Sequence, residues 1–421
     1  MELSLKNKII LFLLMNGFYF FSYFHRVGIP GTIFNQLQID YNLTANQVAT
    51  LGTIVLSIYG ILQFFIGPAM DFFGTNRIFI AGGFLLCVGS LLFSMSHSIG
   101  LLYFSRVLVG LGASVAYLGI VKKTDELFGP DFFPVMLGIA LFLGYSGGLF
   151  ATLPFERLVA VFGWRNTIFW TSAILLIVVF IMFFTFVKQK QLERKKNKVS
   201  LGDIRATFFN KKSYPVIVSA SIYFSVYFLF QGIVGKKLLQ DTCGVSSKIA
   251  ASFTFVMMAA AMFFVLFWGT LTKIIRVRKR LVISNCLISI FSCTLMLVNL
   301  LFFKEPMTFF LSFFLFALVG GSGPLTTTLM KEINPTTIGT SIGFINGICY
   351  ICVAIFGNIT GFIMDRFSSK AIITPDAVVY PAGAYVGVAV FCLVLSLVAL
   401  LASTKIEEEY KSVELNAPAP S

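Results

Sequence analysis

Two arginines lie in stretches of the sequence that are otherwise apolar. Arg26 follows His25 in the stretch SYFHRVGIPG, at the end of an apolar run that begins at Ile9, and Arg106 begins the apolar stretch RVLVGLG. A guanidinium group binds a carboxylate or a phosphate through two parallel hydrogen bonds. The apolar runs contain no Asp or Glu well inside them, so this positive charge is available to a ligand. The chemistry that these residues indicate is the binding of an organic anion.

Polar side chains accompany both arginines at helical spacing. Tyr23 and Tyr19 precede Arg26 on roughly the same face of a helix, and Tyr117 follows Arg106 in the same manner. The other candidates for the same site recur in two later segments: Tyr223, Tyr227 and Gln231, then Asn346 and Tyr350. Such stripes also occur where membrane helices hydrogen-bond one another, so binding and packing are both open for each residue.

The elements that hold these residues must lie in a membrane. Of 421 residues, 57% are hydrophobic and 12% are charged, and the mean hydropathy is +0.89. Apolar runs of about 20 residues recur along the chain, which is the length that crosses a bilayer as a helix. A charge in such a run is costly, so Arg26 is expected to face a water-filled cavity or a partner. The alternative is that it lies near enough to the membrane surface for its side chain to reach water.

The sequence predicts an all-α integral membrane protein with twelve transmembrane helices. Their predicted ranges are 9–33, 48–70, 78–95, 100–121, 134–155, 166–187, 214–235, 249–271, 281–303, 308–330, 337–364 and 382–403. The longest polar connection divides the chain into an N-terminal six-helix bundle at 1–187, a cytoplasmic linker at 188–213, a C-terminal six-helix bundle at 214–404 and a disordered cytoplasmic tail at 405–421.

The positive charge of the chain is explained by its placement. The net charge is +14, and its main clusters lie in 188–212 and 273–280, which are loops on one side of the predicted membrane. Cytoplasmic loops of membrane proteins carry this excess of Lys and Arg. The placement predicts no nucleic-acid partner and a multi-pass protein of the cell (inner) membrane with both termini in the cytoplasm.

The cysteines do not indicate a metal site. Six of the seven lie in predicted transmembrane segments, where a thiol behaves as a small apolar side chain. Cys349 and Cys352 have the spacing of a metal-binding pair, but no second pair or histidine accompanies them. With no grouping suited to nucleophilic or metal catalysis either, we expect no metal, no cofactor and no enzymatic activity.

An internal repeat relates the two halves of the chain. The pattern Gly67-x-x-x-Asp71-x-x-Gly74-x-x-Arg77 follows the second predicted helix, and a similar stretch with Lys273 in place of the aspartate follows the eighth. Transporters built from related halves show such repeats. The first stretch resembles the loop signature between helices two and three of the major facilitator superfamily, and RVLVGLG resembles that superfamily's helix-four signature.

The resemblance implies two six-helix bundles that rock about a site near the membrane centre. The residues that it assigns to gating are Gly67, Asp71, Gly74, Arg77 and Lys273. Asp71 is expected to contact the start of helix eleven at Asn334-Pro335-Thr336, where free backbone amides favour an anion. Lys273 cannot play that role, and Asp125 or Asp131 is its candidate counterion.

The helix-one arginine together with Arg106 resembles the organic-anion branches of the superfamily. These include sugar-acid, organophosphate and vesicular anion carriers. Sugar-acid carriers have an acidic residue before the helix-one arginine, where this chain has His25. Because imidazole titrates near neutral pH, His25 is the candidate coupling residue, with H+ or Na+ as the coupling ion. Arg106 is common in the superfamily, which leaves a scaffold role and substrate contact both open.

The sequence therefore predicts a secondary transporter that moves a small organic anion by alternating access. The anion is a carboxylate, a sugar acid or a phosphorylated metabolite, and a monomer in the lipid bilayer is expected. One alternative is a carrier of neutral, zwitterionic or lipophilic compounds such as an amino acid, a peptide or a drug. The other is a transporter-like sensor that binds its ligand without moving it.

Overall fold

The computed structural model describes residues 4–187, 210–335 and 337–407, and within them twelve helices are long and apolar enough to cross a membrane. They are α1 (Leu5–Val27), α2 (Ala45–Phe73), α3 (Thr75–Met95), α4 (Ile99–Gly129), α5 (Asp131–Phe150), α6 (Trp164–Phe186), α7 (Lys211–Gly232), α8 (Ser247–Ile274), α9 (Arg278–Phe303), α10 (Pro306–Ile333), α11 (Gly339–Asp365) and α12 (Ala382–Ser403). Because the number is even, α1 begins and α12 ends on the same side, which we call the terminal face. The other side is the opposite face.

Short elements cover the opposite face. Three helices lie in the connections α1–α2, α5–α6 and α7–α8, and they are Phe34–Tyr41, Leu153–Phe162 and Gly235–Cys243. The α11–α12 connection holds an antiparallel hairpin of two strands, β1 (Ile372–Ile373) and β2 (Val378–Val379). These elements lie between the spans rather than within them, so they can close or open the route to the space between the bundles.

Two of the spans are interrupted near their middle. Within α4, one helix ends at Ser114 and the next begins at Ala116, and the chain then turns into α5 at Gly129. Gly129 has a φ of 73°, a backbone conformation that glycine adopts without a steric penalty. The span α10 consists of the helices Pro306–Gly320 and Gly323–Ile333. Such breaks leave backbone groups free to face the interior of the protein.

The spans form two bundles of six helices, α1–α6 and α7–α12. In the first bundle α1 packs on α5 and α3 packs on α4 and α6, and in the second α7 packs on α12 and α9 packs on α10 and α12. Small residues allow these approaches, since a Cβ atom at Gly147 of α5 would lie 2.0 Å from the carbonyl oxygen of Phe20 on α1. The bundles meet most closely where α2 packs on α11.

The predicted fold of twelve transmembrane helices in two bundles is confirmed. The first helix is shorter than predicted, because α1 ends at Val27 where Gly28 and Pro30 follow, and proline lacks the N–H that a continuing helix needs. Most of the predicted linker (188–213) and tail (405–421) lies outside the described residues, at 188–209 and 408–421, whereas α7 already begins at Lys211 within the predicted linker.

Candidate functional site

A cavity of about 480 Å³ lies between the two bundles. It is lined by side chains from α1, α2, α4 and α5 of the first bundle and from α7, α8, α10 and α11 of the second. Eight of the chain's 14 tyrosines line it, namely Tyr19, Tyr23, Tyr59, Tyr117, Tyr145, Tyr223, Tyr227 and Tyr350. Among its described lining residues, Arg26 carries the only charge.

The Arg26 guanidinium lies among tyrosine rings and keeps one unused donor. Its Nε donates to the carbonyl oxygen of Ser22 at 3.3 Å, and its Nη1 donates to the Tyr350 hydroxyl at 3.3 Å. Its Cζ lies 4.1 Å from the ring centre of Tyr23 and 4.5 Å from that of Tyr59. Its Nη2 has no hydrogen-bond partner among the described residues, and the side chain is only 2% exposed. Arg26 therefore does not snorkel to the membrane surface.

Arg106 lies outside the cavity lining and binds backbone carbonyl groups. Its Nε donates to the oxygen of Leu51 at 2.8 Å, and its Nη2 donates to those of His25 at 2.9 Å and Ile29 at 3.2 Å. The side chain is fully buried and is not among the described residues that line the cavity. Arg106 thus joins α4 to α2 and to the end of α1, and its contacts favour the scaffold role over substrate contact.

His25 is likewise buried away from the cavity. Its side chain is 0% exposed and contacts the Phe24 ring edge to face at 5.1 Å, and it is not among the described lining residues. Neither ring nitrogen has a partner in the described part of the chain. Among the described residues, no group of three or more His, Cys, Asp or Glu is placed to hold a metal ion, so His25 belongs to no such group there.

The predicted polar stripe of α7 does line the cavity. The Tyr223 hydroxyl lies 2.8 Å from Thr326 Oγ1 of α10, and the Tyr227 hydroxyl donates to the sulfur of Met258 at 3.6 Å. Gln231 donates from Nε2 to a carbonyl oxygen of α8 at 3.2 Å, while its Oε1 has no partner among the described residues. The stripe serves both functions, since the same side chains line the cavity and join helices.

The other predicted lining residues come from α11, and a lining tyrosine of α5 was not predicted. Asn346 lines the cavity and donates to Gln63 Oε1 at 3.3 Å, which joins α11 to α2 beside the cavity. Tyr145 of α5 was not predicted, although its ring lies 4.9 Å from that of Tyr23. Its helical neighbours four residues away, Leu141 and Leu149, are apolar, so no polar stripe marks it in the sequence.

The predicted gating segment lies at the terminal face between α2 and α3. The Asp71 carboxylate is half-exposed and lies 2.6 Å from Lys122 Nζ, which also donates to the Gly67 carbonyl oxygen at 3.1 Å. Gly74 has a φ of 91° and ends α2, so it makes the turn into α3, and Arg77 is exposed. The segment thus joins α2 to α4 within the first bundle.

Two predicted gating contacts concern the second bundle. The first is the predicted contact of Asp71 with the start of α11. It involves Thr336, which lies outside the described residues. Lys273 is exposed at the end of α8, and no ion pair joins it to Asp125 or Asp131 in the described ranges. The pairing of Lys273 with Asp125 or Asp131 thus stays a prediction.

A buried ion pair joins the bundles at the opposite face. Lys236, in the helix Gly235–Cys243, pairs with Glu156, in the helix Leu153–Phe162, and also donates to the Thr32 carbonyl oxygen at 2.5 Å. Both charged side chains are about 5% exposed. Burial lowers the pKa of the Lys236 ammonium, although Glu156 opposes the shift. The attraction to Glu156 therefore offsets only part of the cost of burying the Lys236 ammonium, so this contact between the bundles can be broken.

A carboxylate at the N-terminus of α2 adds to this closure. Asp365, at the end of α11, accepts hydrogen bonds from the backbone N–H groups of Ala45 at 2.7 Å and Asn46 at 3.1 Å. Helix N-termini favour such anions because their first amides lack intrahelical partners.

The cavity, by contrast, extends toward the terminal face. Its lining reaches Leu137, Thr328 and Ile342, near the terminal-face ends of α5, α10 and α11. The cavity therefore faces the terminal face.

Known proteins resemble this chain in sequence. The model of the Major Facilitator Superfamily matches residues 14–357. The riboflavin transporter RibZ of Clostridioides difficile (strain 630) is 29% identical over 102 residues, which are 23% of this chain and 22% of RibZ. The sialic acid transporter NanX of Escherichia coli (strain K12) is 24% identical over 275 residues, which are 63% of this chain and 66% of NanX. The chain thus matches only part of the length of each relative.

A solved structure resembles nearly all of the chain. It is a bacterial homologue of the human lysosomal transporter Spinster in an inward-facing, occupied conformation, with a TM-score of 0.77 and 15% identity. The match covers 99% of this chain and 100% of that one, and at this identity it establishes the fold alone. Because the family match in sequence covers well over half of the residues, the chain belongs to the Major Facilitator Superfamily of membrane transporters.

Proposed function

We propose that this transporter moves a small organic anion and that Arg26 binds the anionic group. The charge of the cavity carries the proposal, since Arg26 is the only charged residue among the described lining residues. A carboxylate or a phosphate would accept a hydrogen bond from the unpaired Nη2 and could replace Tyr350 at Nη1. A buried cation without a counterion is costly, and an anionic ligand offsets that cost.

The named relatives support two different substrate classes. NanX is named a sialic acid transporter, and a sialic acid carries one carboxylate, which agrees with Arg26 as its ligand. RibZ is named a riboflavin transporter, and riboflavin, a flat ring system with a ribityl chain, is uncharged at neutral pH. A carrier of neutral compounds is therefore the second candidate, in which Arg26 would donate hydrogen bonds to a polar ligand.

We infer that transport occurs by alternating access between the two bundles. The cavity faces the terminal face, which is the cytoplasmic side if the basic loops follow the positive-inside rule. To face the other side, the ion pair between Glu156 and Lys236 must separate and the terminal ends must close. Coupling to H+ or Na+ is part of the proposal, and His25 is the residue to test, although its buried side chain lies outside the described cavity lining.

Thermal unfolding of the purified protein with a ligand panel tests the anion proposal. A ligand at 100 times its dissociation constant adds roughly 2.7 kcal/mol of stability. We expect small organic anions to stabilise the wild type and Arg26→Lys to a lesser degree, and not to stabilise Arg26→Ala. Arg157→Ala, an exposed arginine outside the cavity, is the matched control and should behave as the wild type. If neutral or cationic compounds stabilise wild type and Arg26→Ala equally, the proposal fails.

Uptake into proteoliposomes tests the coupling. We expect an imposed pH gradient to accelerate anion uptake by the wild type, and this dependence to be lost in His25→Gln. A sodium gradient replaces the pH gradient in a second set. If His25→Gln keeps the full dependence on the pH gradient, His25 does not couple transport to protons.

A further inference from the structure

We infer that the anion is a monocarboxylate with a flat aromatic body, an inference that rests on the proposed anion transport and narrows its substrate class. The first reason is the count of charges. The described lining offers one guanidinium and no carboxylate. One guanidinium neutralises one negative charge, so a dicarboxylate or a phosphate dianion would bring an uncompensated charge into a cavity of low polarity. The cavity thus favours a ligand with a single carboxylate.

The second reason is that many polar hydrogens of the lining are already used. Hydroxyl and amide donors of the lining reach oxygens or sulfur of the protein from Thr327, Thr328, Ser322, Gln231, Asn346 and Tyr227. A sugar acid carries several hydroxyl groups, and each one left without a partner costs about 1–3 kcal/mol. These six side chains therefore offer few free donors to a polyhydroxylated body, and the hydroxyl groups left for a ligand are those of the lining tyrosines, whose rings form the aromatic wall.

The third reason is the aromatic wall next to Arg26. The ring of Tyr350 lies 4.7 Å from that of Tyr59 and 5.4 Å from that of Phe224, both edge to face. On the other side, Tyr23 pairs with Tyr145. The apolar lining also includes Phe228, Met258 and Met262. Aromatic faces and thioether sulfurs bind another ring with favourable geometry.

These features place the two parts of the ligand. A carboxylate bound at Arg26 would lie beside Tyr350, because the Tyr350 hydroxyl already accepts a hydrogen bond from Nη1. A ring attached to that carboxylate then reaches Phe224 and Phe228, whose rings lie 5.4 Å and 6.1 Å from that of Tyr350. Phe224 is therefore the residue that should distinguish an aromatic body from an aliphatic one.

A ligand panel with the purified protein tests the inference. The probes are indole-3-acetate and phenylacetate, with phenylacetamide as the uncharged match, hexanoate as the aliphatic monocarboxylate, and succinate, N-acetylneuraminate and glucose 6-phosphate as the other classes. We expect the two aromatic acids to raise the unfolding temperature at millimolar concentration, with a dissociation constant at least tenfold lower than that of hexanoate.

The outcomes separate this inference from the proposed function. If N-acetylneuraminate, succinate or glucose 6-phosphate stabilises the protein and the aromatic acids do not, the inference is wrong and anion transport stands. If phenylacetamide stabilises it as well as phenylacetate does, the anion proposal itself fails. If no aromatic acid stabilises the wild type at 10 mM, the inference is also wrong.

A pair of phenylalanine variants tests the ring contact directly. Phe224→Leu removes the aromatic wall while keeping an apolar side chain, and Phe263→Leu is the control, since Phe263 on α8 is 73% exposed. We expect Phe224→Leu to raise the dissociation constant of indole-3-acetate about threefold to tenfold, as for the loss of one aromatic pair. That of hexanoate should change less than twofold. Equal weakening of both acids would contradict the inference.

Discussion

At the residue scale, Arg26 and Arg106 differ in what surrounds their guanidinium groups. Arg106 donates three hydrogen bonds to backbone carbonyl oxygens, whereas Arg26 donates one to a carbonyl and one to a tyrosine hydroxyl. Only Arg26 lies in the described cavity lining. Backbone carbonyl groups hold the Arg106 guanidinium between α4, α2 and the end of α1, so its contacts favour a structural role.

Substitution of Arg106 should lower stability without changing ligand preference. In Arg106→Gln, three buried carbonyl groups lose a charged donor, and each such hydrogen bond contributes about 1.5–3 kcal/mol. We expect the apparent unfolding temperature to fall by several degrees, with the ranking of stabilising ligands unchanged. Arg26→Gln should show the reverse pattern. An Arg106→Gln protein that unfolds at the wild-type temperature but no longer responds to ligands would contradict this assignment.

The sequence could predict which helix faces line the cavity, but not which individual side chains reach it. Tyr19 and Tyr23 were found because they share a helix face with Arg26. Tyr145 was missed because its approach to Tyr23 depends on how α5 packs against α1. The periodicity of a single helix gives no information on that packing. The same limit applies to Arg106, since its carbonyl partners lie on other segments of the chain.

At the element scale, the twelve spans were predictable and the closure of the opposite face was not. Runs of about 20 apolar residues identify transmembrane helices reliably. The helix Leu153–Phe162 is too short to give such a signal, and Gly235–Cys243 is both short and polar. They carry Glu156 and Lys236, whose contact becomes visible only when the bundles are assembled.

Breaking the ion pair between Glu156 and Lys236 should open the opposite face. Glu156→Gln or Lys236→Met leaves one buried charge without its partner, which costs about 3–5 kcal/mol in the closed arrangement. The double variant removes both charges, so its effect should be smaller than the sum of the single effects. Val161 and Ile249 are exposed residues on two elements in contact, the helix Leu153–Phe162 of the first bundle and α8 of the second. Spin labels at these two positions report the distance between the bundles.

A matched ion pair on the same face serves as the control. Asp40 and Arg165 lie 3.9 Å apart within the first bundle and are more than a third exposed on average. Asp40→Asn should therefore leave the distance distribution between the labels unchanged. If the single variants at Glu156 and Lys236 also leave it unchanged, their ion pair does not hold the bundles together.

At the scale of the whole molecule, the bundles are joined from the opposite face toward the membrane centre. Hydrogen bonds between α2 and α11 run from Asp365 near the opposite face to the pair of Gln63 and Asn346 beside the cavity. Between them, Gly60 and Gly347 allow close approach, since a Cβ atom at Gly60 would lie 2.7 Å from the Gly347 carbonyl oxygen. The pattern of the sequence predicts two bundles. It does not predict at which face the bundles are in contact, because the states open to the one face and to the other are built from the same helices.

The access of water to the cavity can be measured with the protein's own cysteines. Cys349 lines the cavity and Cys243 lies in a half-buried position at the opposite face. In variants that keep Cys349 or Cys243 as their single cysteine, a membrane-impermeant maleimide should react with Cys349 from the terminal face and with Cys243 from the opposite face. A ligand bound at Arg26 should slow the reaction of Cys349 and not that of Cys243. Cys349 lines the same cavity as Arg26 and is the chain neighbour of Tyr350, which Arg26 contacts. Equal reaction of Cys349 from both faces would show instead that the ion pair and the α2–α11 contacts do not seal the opposite face.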